Sequence, residues 1–441
     1  MTSGKQIGVL RRNTDFRNLW LGQSASMLGS NMTAVAVPLI ASVTLSASIS
    51  ELGVLSAASY LPYLLVSLFV GVWVDRKPKR PIIIGADLLR GATMMLVPCA
   101  WWLDALTVPL LVGVVLLVGL CSVVADIGNA SLLPALVERD DLIEGNSKLE
   151  LSSSVSNIGG HSLGGVIVQA LTGPVAMALN AATFVVSALF TSRIRRREPA
   201  PESTGEPGSV WKDAAEGARF VLGNPLLRVL VLATLVANFF ALACEPLFLA
   251  FVTRNLDLAP TFVGVILASS GAGALIGAVL AGPMSRRMPL GRLLVFTSTA
   301  IGLASLLTPL ATVVPEAAAI VLLLVMHVVN SAMVIVCNIN LRAYRTSITP
   351  VELQGRMTAV VRMVVMGGAP LGAVFGGFLG DRIGVSPALV FASVGLLVAA
   401  VIIALSPVRR VTEIPGAAAD PAPTADHGSA QADPVEGVPV D

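Results

Sequence analysis

What most constrains this chain is a succession of apolar runs of about 18 to 25 residues, recurring from Leu19 to Ser406 with only short polar breaks. Each is long enough to cross a hydrocarbon layer, and Leu110 to Cys121 and Val390 to Leu405 are the plainest. With 55% apolar and 13% charged residues, the polar groups are too few to coat a soluble globule of this length. Lipid must solvate the remainder. Inside a bilayer the backbone has to satisfy its own hydrogen bonds, and the runs show no alternation of polar and apolar residues. Helices are therefore expected, not a β-barrel.

Gly, Pro and charge punctuate the chain into helices at about 16–43, 51–74, 81–103, 107–130, 147–172 and 175–192. A second set falls at about 225–253, 261–284, 291–312, 317–340, 356–379 and 387–406. The expected fold class is all-α integral membrane, with twelve transmembrane helices in two six-helix halves. This divides the chain into an N-terminal half (1–192), a central loop (193–224), a C-terminal half (225–410) and a tail (411–441). Glu198 to Ser209 is rich in Pro, Glu, Ser and Gly, and Pro415 to Asp441 in Ala, Pro and Asp. Such compositions bury little, so a flexible linker and a disordered tail are expected.

All but four of the 29 Lys and Arg fall on alternate loops. Arg254 and Arg382 lie on the other set, and Arg90 and Arg362 lie within helices. The positive-inside rule then puts both termini and the central loop in the cytoplasm of a cell that holds the protein in its inner membrane. The four cysteines stand singly in apolar segments without metal-type spacing and read as packing residues. Neither a cleavable leader nor a metal site is expected.

The halves also echo each other at an offset of about 210 residues. Val37-Pro38-Leu39 answers Glu245-Pro246-Leu247, Leu52-Gly53-Val54-Leu55 answers Val263-Gly264-Val265-Ile266, and Asp75-Arg76 answers Ser285-Arg286-Arg287. A duplicated bundle leaves a seam along the membrane normal where a solute pathway can run.

After the second helix comes Gly71-Val-Trp-Val-Asp75-Arg76-Lys77-Pro78-Lys79-Arg80. A Gly there lets helices approach, the Asp sits at a helix end, and bases fill the loop. The segment resembles the loop signature of the major facilitator superfamily, G-x-x-x-D-R-x-x-R-R, with Lys79 in place of one Arg. The resemblance extends from Asp15 to Arg410. Phe16-Arg17-Asn18-Leu19-Trp20-Leu21-Gly22-Gln23, Pro134-Ala135-Leu136-Val137 and Asn146-Ser147 look like the branch containing macrolide exporters and the enterobactin exporter. It implies alternating access by rocking of two halves, usually export driven by proton entry. It further implies a cytoplasmic gate of Gly71, Asp75, Arg76 and Arg80, latched against Asp126 and Arg362; snorkelling to the interface is the other reading of the last two. The fifth helix carries Gly159-Gly160-His161-Ser162-Leu163-Gly164-Gly165, similar to the antiporter signature G-P-x-x-G-G but with His161 where Pro is expected. Gly368-Ala369-Pro370-Leu371-Gly372 supplies the Pro in the second half. These small residues make either sliding seams or plain packing.

Charges inside the membrane are costly and point to function. Asp87 and Arg90, three apart on one helix face, can neutralise each other as an intrahelical pair. Glu245 lies two thirds of the way through the seventh helix with no base in its own segment, so it is the first candidate for proton coupling. Its alternative is a wetted position at the outer mouth near Arg254. His161 and His327 are relay candidates or packing donors. Gln23, Asn31, Asn157, Asn238, Asn330 and Asn338 are candidate cavity groups, with Asn129 and Gln169 beside them. Tyr60, Tyr63, Phe239, Phe240, Met326 and Met366 offer an apolar, adaptable wall.

No nucleotide loop, metal pair or nucleophile elbow is present, so neither an enzyme nor a cofactor is expected, and nucleic acid is not a partner. The expected protein is a monomeric, proton-coupled exporter of a drug-like or natural-product solute. A siderophore exporter, an importer of the same fold, or a membrane scaffold or sensor are the rival readings.

Overall fold

A computed structural model describes residues 9–75, 77–138, 141–196 and 209–412. Among these are twelve long helices: α1 Thr14–Leu39, α2 Ile49–Asp75, α3 Lys79–Trp102, α4 Val108–Leu136, α5 Leu142–Ala170 and α6 Gly173–Ser192, then α7 Pro225–Ala250, α8 Pro260–Arg287, α9 Leu290–Leu306, α10 Glu316–Ser347, α11 Val351–Ile383 and α12 Val385–Leu405. Eleven of them are long and apolar enough to cross a bilayer. The twelfth, α5, is interrupted along its length by Ser, Asn, Gly, His and Gln residues from Ser152 to Gln169. At its start Glu144 accepts the Val9 backbone N–H at 3.1 Å, and the Lys148 carbonyl accepts the Trp20 indole N–H at 3.4 Å, so its first turns hold Val9 and the beginning of α1. Large apolar side chains also stand on the outside, with Trp102 81% and Leu405 84% exposed. In water this would be a liability, whereas lipid makes it the expected surface.

The packing repeats pair for pair. Helix α1 packs on α5 and α6, and α7 on α11 and α12; α3 packs on α4 and α6, and α9 on α10 and α12. The local backbone repeats too. Both α1 and α7 hold a proline, Pro38 and Pro246, and both end in a π-turn, Ile40–Thr44 and Phe251–Asn255. Each π-turn is followed by a residue in the left-handed region, Ser46 (φ 50°) and Asp257 (φ 48°). The proline removes one backbone donor, and the wider turn re-registers the chain before it reverses.

The linker holds an element absent from the sequence reading, a helix at Ser209–Gly223 that packs on α11 and α7. Glu216 accepts from Arg356 of α11 at 2.6 Å, and a Cβ at Gly217 would lie 2.7 Å from the Arg356 carbonyl, so helix and α11 meet backbone to backbone. The linker segment 197–208 and the tail from 413 lie outside the described residues.

Two helix pairs make the most extensive junctions between the first six helices and the last six, α2 with α11 and α5 with α8. They close at the face opposite the chain ends, and by one device used twice. In one pair Gly53 faces Gly377, and in the other Gly264 faces Gly165. Four residues beyond each second-named glycine a side-chain oxygen caps the partner helix. Asp381 accepts the backbone N–H groups of Ile49 (3.0 Å) and Ser50 (2.9 Å), and Gln169 accepts that of Thr261 (3.1 Å). First-turn N–H groups have no partner within their own helix, so each clasp satisfies donors that would otherwise be orphaned. The Ser42 and Thr253 hydroxyls, 2.9 Å apart, and an Arg254 hydrogen bond to the Ala47 carbonyl complete the closure. Removing a cap costs about 1 kcal/mol, so Asp381→Ala should speed hydrogen exchange at Ile49 and Ser50 roughly fivefold. Amide exchange read by mass spectrometry checks this, with Thr261 as the unchanged control.

Candidate functional site

Beneath this closure lies a cavity of about 680 Å³ between the two sets of six helices. Val37, Leu52, Leu55, Met94, Phe184, Phe248 and Leu267 give it an apolar wall. Polar groups gather at two poles.

On the first-half side, α3 delivers Arg90, α1 Ser30 and Thr33, and α6 Asn180. Arg90 and Asp87 form an ion pair of 3.0 Å and are buried. Asp87 also accepts from the Ser187 hydroxyl at 2.7 Å, and the Arg90 guanidinium lies 3.9 Å from the centre of the Phe184 ring. The pair thus ties α3 to α6, and longer bonds to Ser26 (3.4 Å) and Ser30 (3.3 Å) reach α1.

On the second-half side, α7 delivers Glu245 and α10 delivers His327 and Asn330. Glu245 is the one carboxylate on the wall among the described residues. Its partner crosses the seam: the Tyr60 hydroxyl of α2 donates to it at 3.4 Å. Glu245 therefore faces the cavity, not the outer mouth near Arg254, because Pro246 and the π-turn place Arg254 at the closure beyond it. His327 stacks on Phe248 (centroids 4.9 Å apart, planes at 38°). His161 also lines the cavity, with Nδ1 2.6 Å from the Asn157 carbonyl.

The other sequence candidates scatter. Of the six amides proposed for the cavity, the wall includes only Asn330, which donates to the Ser305 hydroxyl at 3.2 Å. Gln23 is buried, Asn31 donates to the Met27 carbonyl at 2.8 Å against Gly160, and Asn157 presses on α8 at Gly271. Asn238 is half-buried away from the wall and Asn338 is exposed. Tyr60, Tyr63 and Met326 line the cavity; Phe239 and Phe240 form a ring cluster with Phe375 and Phe391 instead. Ser30, Thr33 and Asn180 were passed over, although a lone Asn in the apolar stretch of α6 was a usable signal.

At the chain-ends face the expected gate is only partly visible. The Asp75 side chain and Arg76 lie outside the described residues. Gly71 does not bring helices together here, since a Cβ on it would meet no atom within 4 Å. The closure between the two sets of six helices lies at the opposite face. Arg80 hydrogen-bonds the Ser192 carbonyl, Asp126 accepts from Tyr63 at 2.7 Å, and Arg362 is exposed on α11.

The family profile described as transmembrane secretion effector matches residues 9–432. The chain belongs to the major facilitator superfamily. This transporter is 26% identical to the multidrug efflux pump Tap of Mycolicibacterium fortuitum, covering 88% of this chain and 94% of that one. It is 20% identical to macrolide efflux protein A of Streptococcus pyogenes, over 84% of this chain and 90% of the relative. Among solved structures it resembles a bacterial homologue of the human lysosomal transporter Spinster in an inward-facing, unoccupied conformation. That likeness has a TM-score of 0.70 at 15% identity and covers 90% of this chain and 97% of the other. It is a multi-pass membrane transporter of small molecules, and not an enzyme.

Proposed function

We propose that this transporter exports an apolar, drug-like solute in exchange for protons, by alternating access of the central cavity to the two faces. The observation that carries this reading is Glu245, the single carboxylate on the cavity wall, bonded to a hydroxyl from the opposite half. A group at that position senses both whether the cavity is filled and how the halves stand. Protonation and solute binding therefore compete for one place, which is what exchange requires.

Supporting features point the same way. The cavity volume is in the range of small-molecule sites, and its wall is mainly apolar with a few polar groups. The relatives named for efflux of drugs and macrolides span nearly the whole chain. With the basic loops and both chain ends assigned to the cytoplasm, the closed face is outward and the structure stands in the inward-facing state. The Asp75-Arg76 loop is then the latch that forms when the halves rock to the other state.

The test uses purified full-length protein in liposomes with a fluorescent lipophilic cation. Acid imposed on the face opposite the chain ends should drive dye movement toward that face against its gradient, and a protonophore should stop it. Movement indifferent to the protonophore would overturn proton coupling, and no movement beyond protein-free liposomes would overturn export.

A further inference from the structure

The two poles of the cavity are chemically unlike, and the difference specifies what a solute must carry. Glu245 offers acceptor oxygens. Arg90 offers donors, and its bonding is incomplete. Nη1 bonds Asp87 at 3.0 Å and Ser26 at 3.4 Å, whereas Nη2, which carries two N–H groups, reaches only Ser30 at 3.3 Å among the described residues; Nε also lacks a partner but is enclosed by the protein. Arg90 is 5% exposed and lines the cavity. A buried guanidinium N–H left open costs free energy that an acceptor from the cavity would recover. A pair that served packing alone would have its donors filled, as the Asp87 oxygens are, one by Arg90 and the other by Ser187.

The charge of Arg90 is already offset by Asp87, and Glu245 stands on the opposite wall. An anionic solute would therefore face two carboxylates against one guanidinium. A neutral acceptor oxygen suffers no such repulsion and still receives a charge-assisted hydrogen bond.

We propose that Arg90 is a specificity-determining residue of this transporter, its second Nη2 N–H binding an uncharged acceptor oxygen (an ester, lactone, ketone or amide carbonyl) on a lipophilic solute that is not an anion. The phenyl face of Phe184 beneath the guanidinium holds the fork flat, so the open N–H keeps one direction and selects by geometry. This inference rests on the cavity being the solute site.

The experiment is equilibrium dialysis of purified full-length protein in detergent at one pH, with no gradient. Two probes are used: rhodamine 6G, a lipophilic cation with an ester carbonyl, and tetraphenylphosphonium, which has no acceptor. Arg90→Lys keeps the charge opposite Asp87 and loses the fork. Rhodamine 6G should bind about tenfold more weakly, the loss of one charge-assisted hydrogen bond, with tetraphenylphosphonium changed less than about twofold. Equal weakening of both probes would make Arg90 a packing residue, and no change in either would remove it from the site; both results overturn the proposal. Wild-type protein that binds neither probe would instead overturn the cavity as solute site. A second variant, Asp87→Asn, leaves Arg90 uncompensated while keeping an acceptor for Ser187. It should gain binding of fluorescein, an anion that the wild type excludes, and absence of that gain would sink the charge argument.

Discussion

Glu245→Gln abolishes uphill transport while the protein still folds and still binds solute. Gln matches Glu in shape and keeps an oxygen for the Tyr60 hydroxyl, which now bonds Glu245 at 3.4 Å, so the seam contact persists. What disappears is the proton site, and among the described residues the cavity wall has no other carboxylate to replace it. His161 and His327 do not substitute. The first is engaged with the Asn157 carbonyl 2.6 Å away and the second is stacked on Phe248, and neither is reached by Tyr60 across the seam. Dye accumulation driven by an imposed pH gradient should fall to the level of protein-free liposomes. Downhill exchange of dye for dye needs no proton and should continue. If uphill transport by Glu245→Gln keeps the wild-type dependence on pH, the proton is carried elsewhere. The sign also follows: acid at the face opposite the chain ends loads the site, so wild-type efflux rises as that side is acidified and the variant's stays flat.

The helices and their repetition were legible because length and apolarity suffice to define a membrane span, and because a duplicated chain must place the same breaks twice. Pro38 with Pro246, and Gly53 with Gly264, marked the repeat before their shared geometry was visible. Glu245 was legible for a different reason: a carboxylate in an apolar run has few explanations. The amides were not. In a helix that is apolar on every side, no stripe tells which face meets lipid, which a neighbour and which the cavity. Asn31 and Asn330 are alike in sequence context, yet one presses on Gly160 and the other lines the cavity. The linker helix escaped notice because Glu198 to Ser209 set the reading for the whole connection, although the helix begins where that composition ends. Nor does sequence reveal that Asp381 and Gln169 are equivalent, since an acid and an amide look unrelated until both are seen capping the opposite half.

That equivalence leads to the second large effect. At the two glycine crossings the helices touch through backbone alone. A Cβ at Gly53 would lie 2.5 Å from the Ala373 carbonyl oxygen and 3.1 Å from the Gly377 Cα; one at Gly165 would lie 2.5 Å from the Pro260 carbonyl oxygen and 2.9 Å from the Gly264 Cα. These obstacles are main chain, so no rotamer change clears them, and the halves themselves must separate. Overpacking of this kind costs about 1 to 3 kcal/mol at each site, and the cost falls only on the state closed at this face. The double variant Gly53→Ile, Gly165→Ile should therefore shift the population by at least about tenfold toward opening opposite the chain ends. Spin labels at Asp104→Cys and Val314→Cys, placed on exposed residues of the connections after α3 and before α10 in a background without the native cysteines, report the change. Their distance distribution should move to longer values, uphill transport should be lost because the cycle cannot return, and solute should bind from one face only. An unchanged distance distribution would mean that the crossings are not the hinge of closure. The single variants separate the two seams: each alone should open its own pair of helices, and if the clasps act together, the effect of both exceeds the sum.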